Sequence, residues 1–589
     1  MSGNPRLPVN RQAVPVRDSR YAPPKGAPRL NASRVVVLLL FLLFVLGAAG
    51  FLALAVAPGG SSSPRPSGLT GAASPSGTAA SSTSGSDTTP GSGDTPGPDA
   101  TPTEPGATID PGASPTPTPT PAPTGSLVMP IVPVVGFWGT ETGISMHALT
   151  EALKGASSSW PRVIVLQADR GTIADALGIK LGNSVETGDA AAIQTAVKQG
   201  ALGLMRASDL TPAVRALALD GKDLFGNNRI KKNGDWPLLV TVTAPVDQAW
   251  DQSKTWTLVA GGDMFLDRGV RNTTLEKGKG IDYPFDGGTA RVTGHYCCSP
   301  SSVQAEVPSY VRTGHKGIVR QLVKDADLAI ANLENPIPDN PSWHLNGFIF
   351  GGEPRSLGGF VNAGIDWVTL ANNHIYDYGP AGVDQTRQNL NDAGLPFGGA
   401  GKNIQQAGQI SYLQTHGVKV AIIACVAVGK AAWASSNKAG GLPCKNAYVL
   451  PRIAEARRNA DMVIVFPHWG VEYNRNPLPS QRRLAGDWVG AGADLIIGSH
   501  PHVPGAIEDI NGHVVIYSMG NFIFDQYWST ATMESVIPEM TFEGTRLVQL
   551  RLHPDIILDQ AQPNLLDPAR DDGKALMRAI RNASTTLDW

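Results

Sequence analysis

Charge is scarce in this chain. Asp, Glu, Lys and Arg make up 17% of 589 residues, and the formal net charge is −2. Without a basic or acidic excess there is no field to hold nucleic acid. Cysteine is scarcer still, with only Cys297, Cys298, Cys425 and Cys444. His295-Tyr-Cys-Cys lacks the spaced second half of a zinc motif and reads as a loop disulfide or free thiols. In an oxidising compartment, Cys425 and Cys444 are the expected pair, closing a short loop. Adjacent Cys297 and Cys298 rarely bond to each other, which leaves pairing elsewhere or free thiols. No internal repeat is visible. Glycine (66) and proline (47) are plentiful, but only in places.

Residues 1–34 carry seven arginines and lysines against one acid, Asp18. The uncharged apolar run Val35 to Ala57 follows. As a helix it would be roughly 35 Å long, enough for a hydrocarbon core of about 30 Å. The cation excess keeps the N-terminus cytoplasmic and puts everything after Pro58 outside. A cleaved signal peptide ending at Ala55-Val56-Ala57 is the rival reading, but its apolar region is usually only about 7–15 residues. Residues 58–125 are almost entirely Ser, Thr, Pro, Gly, Ala and Asp. They cannot bury a core and read as a disordered stalk with a reach on the order of 45 Å.

Order is expected from Leu127. Residues 127–250 read as a small α/β domain, with helices over 190–200 and 211–219. Its segment GALGLMRASDLTPAVRALALDG, followed by WPLLV, resembles part of a periplasmic-binding-protein-type domain; a spacer without ligand fits equally. Residues 251–589 alternate apolar strands with helical patterns near 316–325, 379–394, 451–460 and 480–491. In the last, Leu484, Trp488 and Ala491 share one face. The pattern predicts sheet layers covered by helices. A strand RLVQLRLHP and a helix KALMRAIRNAS close the chain.

The chemistry lies where these strands end. TLVAGG runs into Asp263; LAIANL runs into Glu334, with Asn332 two before; VTLAN precedes Asn373-His374; MVIVFP runs into His468; LIIGS runs into His500, with His502 two after. Sites in α/β sheets form at the carboxyl ends of strands. Asp, Glu, Asn and His suit hard-to-borderline divalent ions such as Mn, Fe, Zn or Mg, and the set contains no thiolate. Two such ions about 3.5–4 Å apart can clamp a phosphoryl group and acidify a water. Each residue alone has a blander reading. A histidine after a strand is more often structural, and Asn332 and Asn372 could cap turns. Five coincidences favour a site. Asp377 could orient His374 or form a turn. Glu472 and Tyr473 could line the pocket, Arg482 or Arg483 could meet an anion, and Asn521 follows Gly520 in a tight turn.

The strings GGDMFLDR (261–268), DLAIANLENP (327–336), VTLANNHIYDYG (368–379), HWGVEY (468–473), GADLIIGSHPHV (492–503) and YSMGNFIFD (517–525) resemble, in order, the motifs of the CapA family of poly-γ-glutamate capsule synthesis proteins, a branch of the calcineurin-like metallophosphoesterases. The resemblance implies a four-layer α/β/β/α sandwich. It implies Asp263 on a first metal, Glu334 as bridging carboxylate, and Asn373, His468 and His500 on a second metal. His502 would return to the first, and His374 would be the acid or phosphate-contacting imidazole, aided by Asp377. Asn332, Asn372, Glu472 and Asn521 are then candidate substrate contacts. Calcineurin-like enzymes begin Asp-x-His, whereas Met264-Phe265 follow Asp263 here, so the first site lacks an imidazole.

Three readings follow. The first is a membrane-anchored, extracytoplasmic hydrolase acting in assembly of an anionic surface polymer. The second is a scaffold that binds such a polymer beside membrane synthase subunits without turning it over, as the missing imidazole suggests. The third is a solute receptor built on residues 127–250.

Overall fold

The computed structural model describes residues 123–297 and 306–589. The basic tail, the Val35–Ala57 run, nearly all of the stalk and Cys298 lie outside the described residues. Among the described residues, no helix is long and apolar enough to cross a membrane.

The first ordered segment is the strand Thr124–Gly136, which begins inside the expected stalk. It pairs antiparallel with Leu202–Arg206, Val214–Ala216 and Leu239–Pro245. Val163–Leu166 runs parallel to both Val185–Gly188 and Leu202–Arg206. The expected helix over 190–200 forms as Ala190–Lys198, where Asp189 accepts a hydrogen bond from the Ala192 amide at its start. The helix expected over 211–219 does not form. Val214–Ala216 and Ala218–Leu219 are strands, because the edge of Thr124–Gly136 offers Val214–Ala216 a ladder that outweighs the helix propensity of Ala and Leu.

This segment has its own apolar core and is also fastened to the rest of the chain by buried polar links. The Ala216 amide donates to Gln549 Oε1 at 2.9 Å, and Arg229 pairs with Asp327 at 2.8 Å.

The remainder is built on two sheets. In the ten-stranded sheet, Thr255–Met264, Leu328–Leu333 and Trp367–Thr369 are parallel neighbours. In the six-stranded sheet, Val418–Val426, Met462–His468, Leu495–Ile497 and His513–Ile516 are parallel. Trp256, Leu258, Ile330 and Trp367 of the first sheet share one buried core with Val420, Ile422, Ile464 and Phe466 of the second. The other face of the first sheet is covered by helices Ile318–Lys324, Leu357–Ala363 and Gly379–Asp392. Helices Asn446–Asn459 and Pro479–Gly490 cover the other face of the second. The result is a mixed α/β fold of four layers. In Pro479–Gly490 the buried face is Gln481, Ala485, Trp488 and Val489, about a quarter-turn from the expected Leu484–Trp488–Ala491 stripe, because Trp488 stacks on Trp469.

Cys425 and Cys444 are disulfide-bonded across 19 residues of sequence. Cys297 is disulfide-bonded too, so the free-thiol alternative fails for it. Loop-closure entropy predicts that Cys444→Ser lowers unfolding free energy by about 3 kcal/mol. Equal denaturation midpoints for the variant and the oxidised wild type would refute this.

Candidate metal centre

Parallel register brings the polar strand ends together. Asn332 pairs across the ladder with Asp263, and the strand bearing His468 ends opposite Val426 in the facing sheet. Asp263, Asn332, Glu334 and His468 are all fully buried. Asn332 Nδ2 donates to Asp263 Oδ1 at 2.7 Å and also to Glu334 Oε2. Asp263 Oδ2 lies 3.2 Å from His502 Nδ1 and accepts from the His500 amide at 3.3 Å. His468 Nε2 is 2.7 Å from Asn373 Oδ1, and His468 Nδ1 is 3.0 Å from Ser499 Oγ. The rings of His468 and His500 are 4.8 Å apart, and those of His500 and His502 are 5.8 Å apart. Every residue expected to hold a metal is thus linked to at least one other member of one cluster.

Two buried atoms in the cluster have no hydrogen-bond partner among the described residues: Glu334 Oε1 and His500 Nδ1. Leaving a buried polar atom unmade costs about 1–3 kcal/mol. Glu334, His468 and His500 nevertheless offer ligand atoms within 4.8 Å of one another, as do Glu472, His500 and His502. Carboxylate oxygens and imidazole nitrogens this close together fit a divalent cation.

Electrostatics agree. Burial holds the His468 imidazole well below its ordinary pKa, aided by repulsion from His500 and His502. Burial lowers His500 to about 3, with His502 adding to the effect. Both rings are therefore neutral, as ligands must be. Burial, and then the neighbouring Asp263 charge, raise Glu334 well above the usual carboxylate range. In the cation-free protein Glu334 thus keeps its proton at pH values where an ordinary carboxyl has lost it, and a cation must displace that proton. Affinity is lost as pH falls through the raised pKa and grows as pH rises, while the two rings add no slope near neutrality. Calorimetry of Mn²⁺ binding in buffers of different ionisation enthalpy should detect the released proton; identical heats would contradict the assignment.

His374 stands at the edge of the cluster. Its Nδ1 is 2.9 Å from Asp377 Oδ2, which also accepts from the Phe350 amide at 2.8 Å. The Phe350 ring packs 4.2 Å from the His374 ring. A carboxylate only accepts, so Nδ1 carries the proton and Nε2 remains for proton exchange.

Three of the four expected substrate contacts lie one layer deeper than expected. Asn332, Asn372 and Asn521 are fully buried. Asn372 donates to Leu333 O and Asn332 Oδ1 and accepts from the His374 amide, so it fixes the turn carrying Asn373 and His374. Asn521 donates to Gln526 Oε1 and Thr532 O, and its Oδ1 is 2.9 Å from His502 Nδ1. Glu472 is exposed at the rim, beside Tyr473. Arg482 is tied to Glu508 at 2.7 Å, and Arg483 is exposed on the helix surface. Neither arginine is among the residues clustered above.

Sequence reasoning missed Ser499, Phe350 and the buried Arg268–Asp525 ion pair. Ser499 was readable, since it directly precedes His500. Phe350 lies in no strand or motif. Arg268 sits at φ +42, chelates Asp525 through two nitrogens and donates to Gly347 O at 3.1 Å. It ties the strand end after Asp263 to the loop before Phe350.

The family model described as bacterial capsule synthesis protein PGA_cap matches residues 257–526, the span holding every residue of this cluster. The capsule biosynthesis protein CapA of Bacillus anthracis is 30% identical over 280 residues, covering 46% of this chain and 68% of that protein. The chain belongs to the CapA family. The PGA biosynthesis protein CapA of Bacillus subtilis (strain 168) is 36% identical over 228 residues, and the match spans 58% of its length. Among solved structures, a 5'-nucleotidase precursor from Thermus thermophilus aligns at 12% identity over 56% of this chain and 58% of that one, with a TM-score of 0.30. NAD nucleotidase from Haemophilus influenzae aligns at 10% identity over 57% of each chain, also at 0.30. In this CapA-family chain, Met264 and Phe265, which stand where an imidazole could follow Asp263, are both fully buried, and Phe265 stacks on Phe524.

Proposed function

We propose that this chain is a membrane-anchored, extracytoplasmic CapA-type hydrolase with a divalent-cation centre, acting on an anionic surface polymer such as poly-γ-glutamate during its synthesis or processing. The observation that carries the chemistry is that Glu334, His468 and His500 offer ligand atoms within 4.8 Å of one another, while Glu334 Oε1 and His500 Nδ1 have no hydrogen-bond partner among the described residues. The setting rests on the relatives, whose names specify capsule and PGA biosynthesis. The anchor rests on Val35–Ala57 and its basic flank. The metallophosphoesterase-like assignment rests on two facing sheets with ligand residues at their strand ends.

A cation held by Glu334, His468, His500 and Asn373 would polarise a phosphoryl or carbonyl oxygen of the substrate. The remaining steps fall to the chain's own residues. Asn332 and Ser499 fix the carboxylate and the His468 ring; Asn521 fixes His502. Asp377 accepts from His374 Nδ1–H and so supports the doubly protonated ring, whose Nε2–H would give its proton to the leaving group, leaving the neutral Nδ1–H tautomer.

The test is cation-dependent turnover by the purified full chain with Mn²⁺ or Zn²⁺, using a generic phosphodiester and polyglutamate. Cation binding without turnover of either would replace the hydrolase with the scaffold reading. For the anchor, intact cells should keep the chain in the membrane fraction, with residues 123–589 open to added protease.

A further inference from the structure

Between Asp339 and Glu353 the chain has no Asp, Glu, Lys or Arg. This loop instead carries Trp343, Leu345, Phe348 and Ile349, which are 44%, 52%, 80% and 62% exposed. Eleven large apolar or aromatic side chains are exposed among the described residues, and these four fall within seven positions. A single exposed apolar side chain needs no explanation, but a cluster marks a surface that meets something apolar. The loop also borders the pocket: Phe350, the residue after Ile349, packs 4.2 Å from the His374 ring.

The backbone of the loop is held by polar contacts while these side chains stay exposed. The Ser342 amide donates to the Tyr378 hydroxyl at 2.8 Å, and the Gly351 amide donates to Asp267 Oδ2 at 2.9 Å. Gly347 O accepts from Arg268, and Ile349 O accepts from His344 Nε2 at 2.7 Å. The Arg271 guanidinium lies 5.1 Å from the centre of the Trp343 ring and holds it by a cation–π contact. Backbone groups without partners are what bars an irregular loop from lipid; these four already have theirs.

We propose that this loop inserts Trp343, Leu345, Phe348 and Ile349 into the membrane surface, so that the pocket edge bearing His374 meets its substrate at the bilayer. The inference rests on the anchor proposed above, and the tether is what selects lipid as the occupant. With Val35–Ala57 in a bilayer, the stalk expected from Pro58 onward has a reach on the order of 45 Å. Lipid is then always at high effective concentration, whereas another apolar partner has to be recruited. Burying one phenyl ring favours the inserted state about 10- to 100-fold, a gain that dilution would cancel for a free domain and that a tethered one keeps. Tryptophan suits the headgroup level, and the lack of a lysine or arginine in the loop makes the insertion apolar and independent of lipid charge.

The test is photocrosslinking of the full chain reconstituted in phosphatidylcholine vesicles, with p-benzoylphenylalanine in place of Leu345. The control carries the same probe in place of Tyr412, which is exposed on the edge strand Ser411–Thr415. Lipid adducts at Leu345 should exceed those at Tyr412 at least about 10-fold and should persist in high salt. Adding Phe348→Ser to the Leu345 probe should cut them by about 10-fold while leaving the melting temperature unchanged, since that ring is already exposed. Adducts with protein alone at Leu345, or equal lipid adducts at both positions, would overturn the insertion and leave the anchor standing. A chain that fails to enter the vesicles overturns the anchor, and the insertion with it.

Discussion

Replacing His500 by glycine is expected to leave cation-free stability within about 1 kcal/mol of wild type while reducing Mn²⁺ affinity at least about 100-fold. The ring sits on a backbone at φ +98, which glycine adopts without strain. It is buried with Nδ1 unpartnered, so removing it also relieves a desolvation cost. Lost packing against His468 and His502 offsets those gains. A residue kept for stability would behave in the opposite way. The measurement is thermal melting with and without Mn²⁺. The rise in Tm on adding Mn²⁺ should nearly vanish in His500→Gly. A variant that melts far lower without cation, yet keeps that rise, would show that His500 is structural.

The second large effect is on turnover. His374→Ala is expected to lower kcat for a hydrolysed phosphodiester by about 10²–10⁴, with Mn²⁺ affinity unchanged. His374 is half-buried at the pocket edge, held by Asp377 and Phe350, and it lies outside both groups of convergent ligand atoms. Asp377→Asn keeps the shape but offers Nδ1 an amide, which frees the tautomer; a smaller loss with a shifted pH profile is expected. Undiminished kcat in His374→Ala would remove it from the reaction.

Much of the architecture was legible because apolar runs of six to ten residues are long enough to specify buried strands. DLAIANLE and DMVIVFPH became Leu328–Leu333 and Met462–His468, each delivering its polar residue at the carboxyl end. Where the reading failed, tertiary contacts outweighed local preference. Residues 211–219 have helix-forming composition, but Val214–Ala216 pair antiparallel with the end of Thr124–Gly136. Asn332, Asn372 and Asn521 are expected as substrate contacts and lie fully buried, a depth that sequence does not tell.

By itself, the sequence determined the ligand inventory: which carboxylates and imidazoles exist, that each closes an apolar strand, and that Met264-Phe265 leave no histidine after Asp263. Only the tertiary structure decided which of them meet. Strand register set Asn332 against Asp263, the facing sheet brought His468 to Asn373, and the left-handed turns at Tyr473, His500 and His502 gathered Glu472 with the two histidines. The physical reason is that a cation site needs distances of a few ångströms between residues tens to hundreds of positions apart, and local sequence constrains only neighbours along the chain.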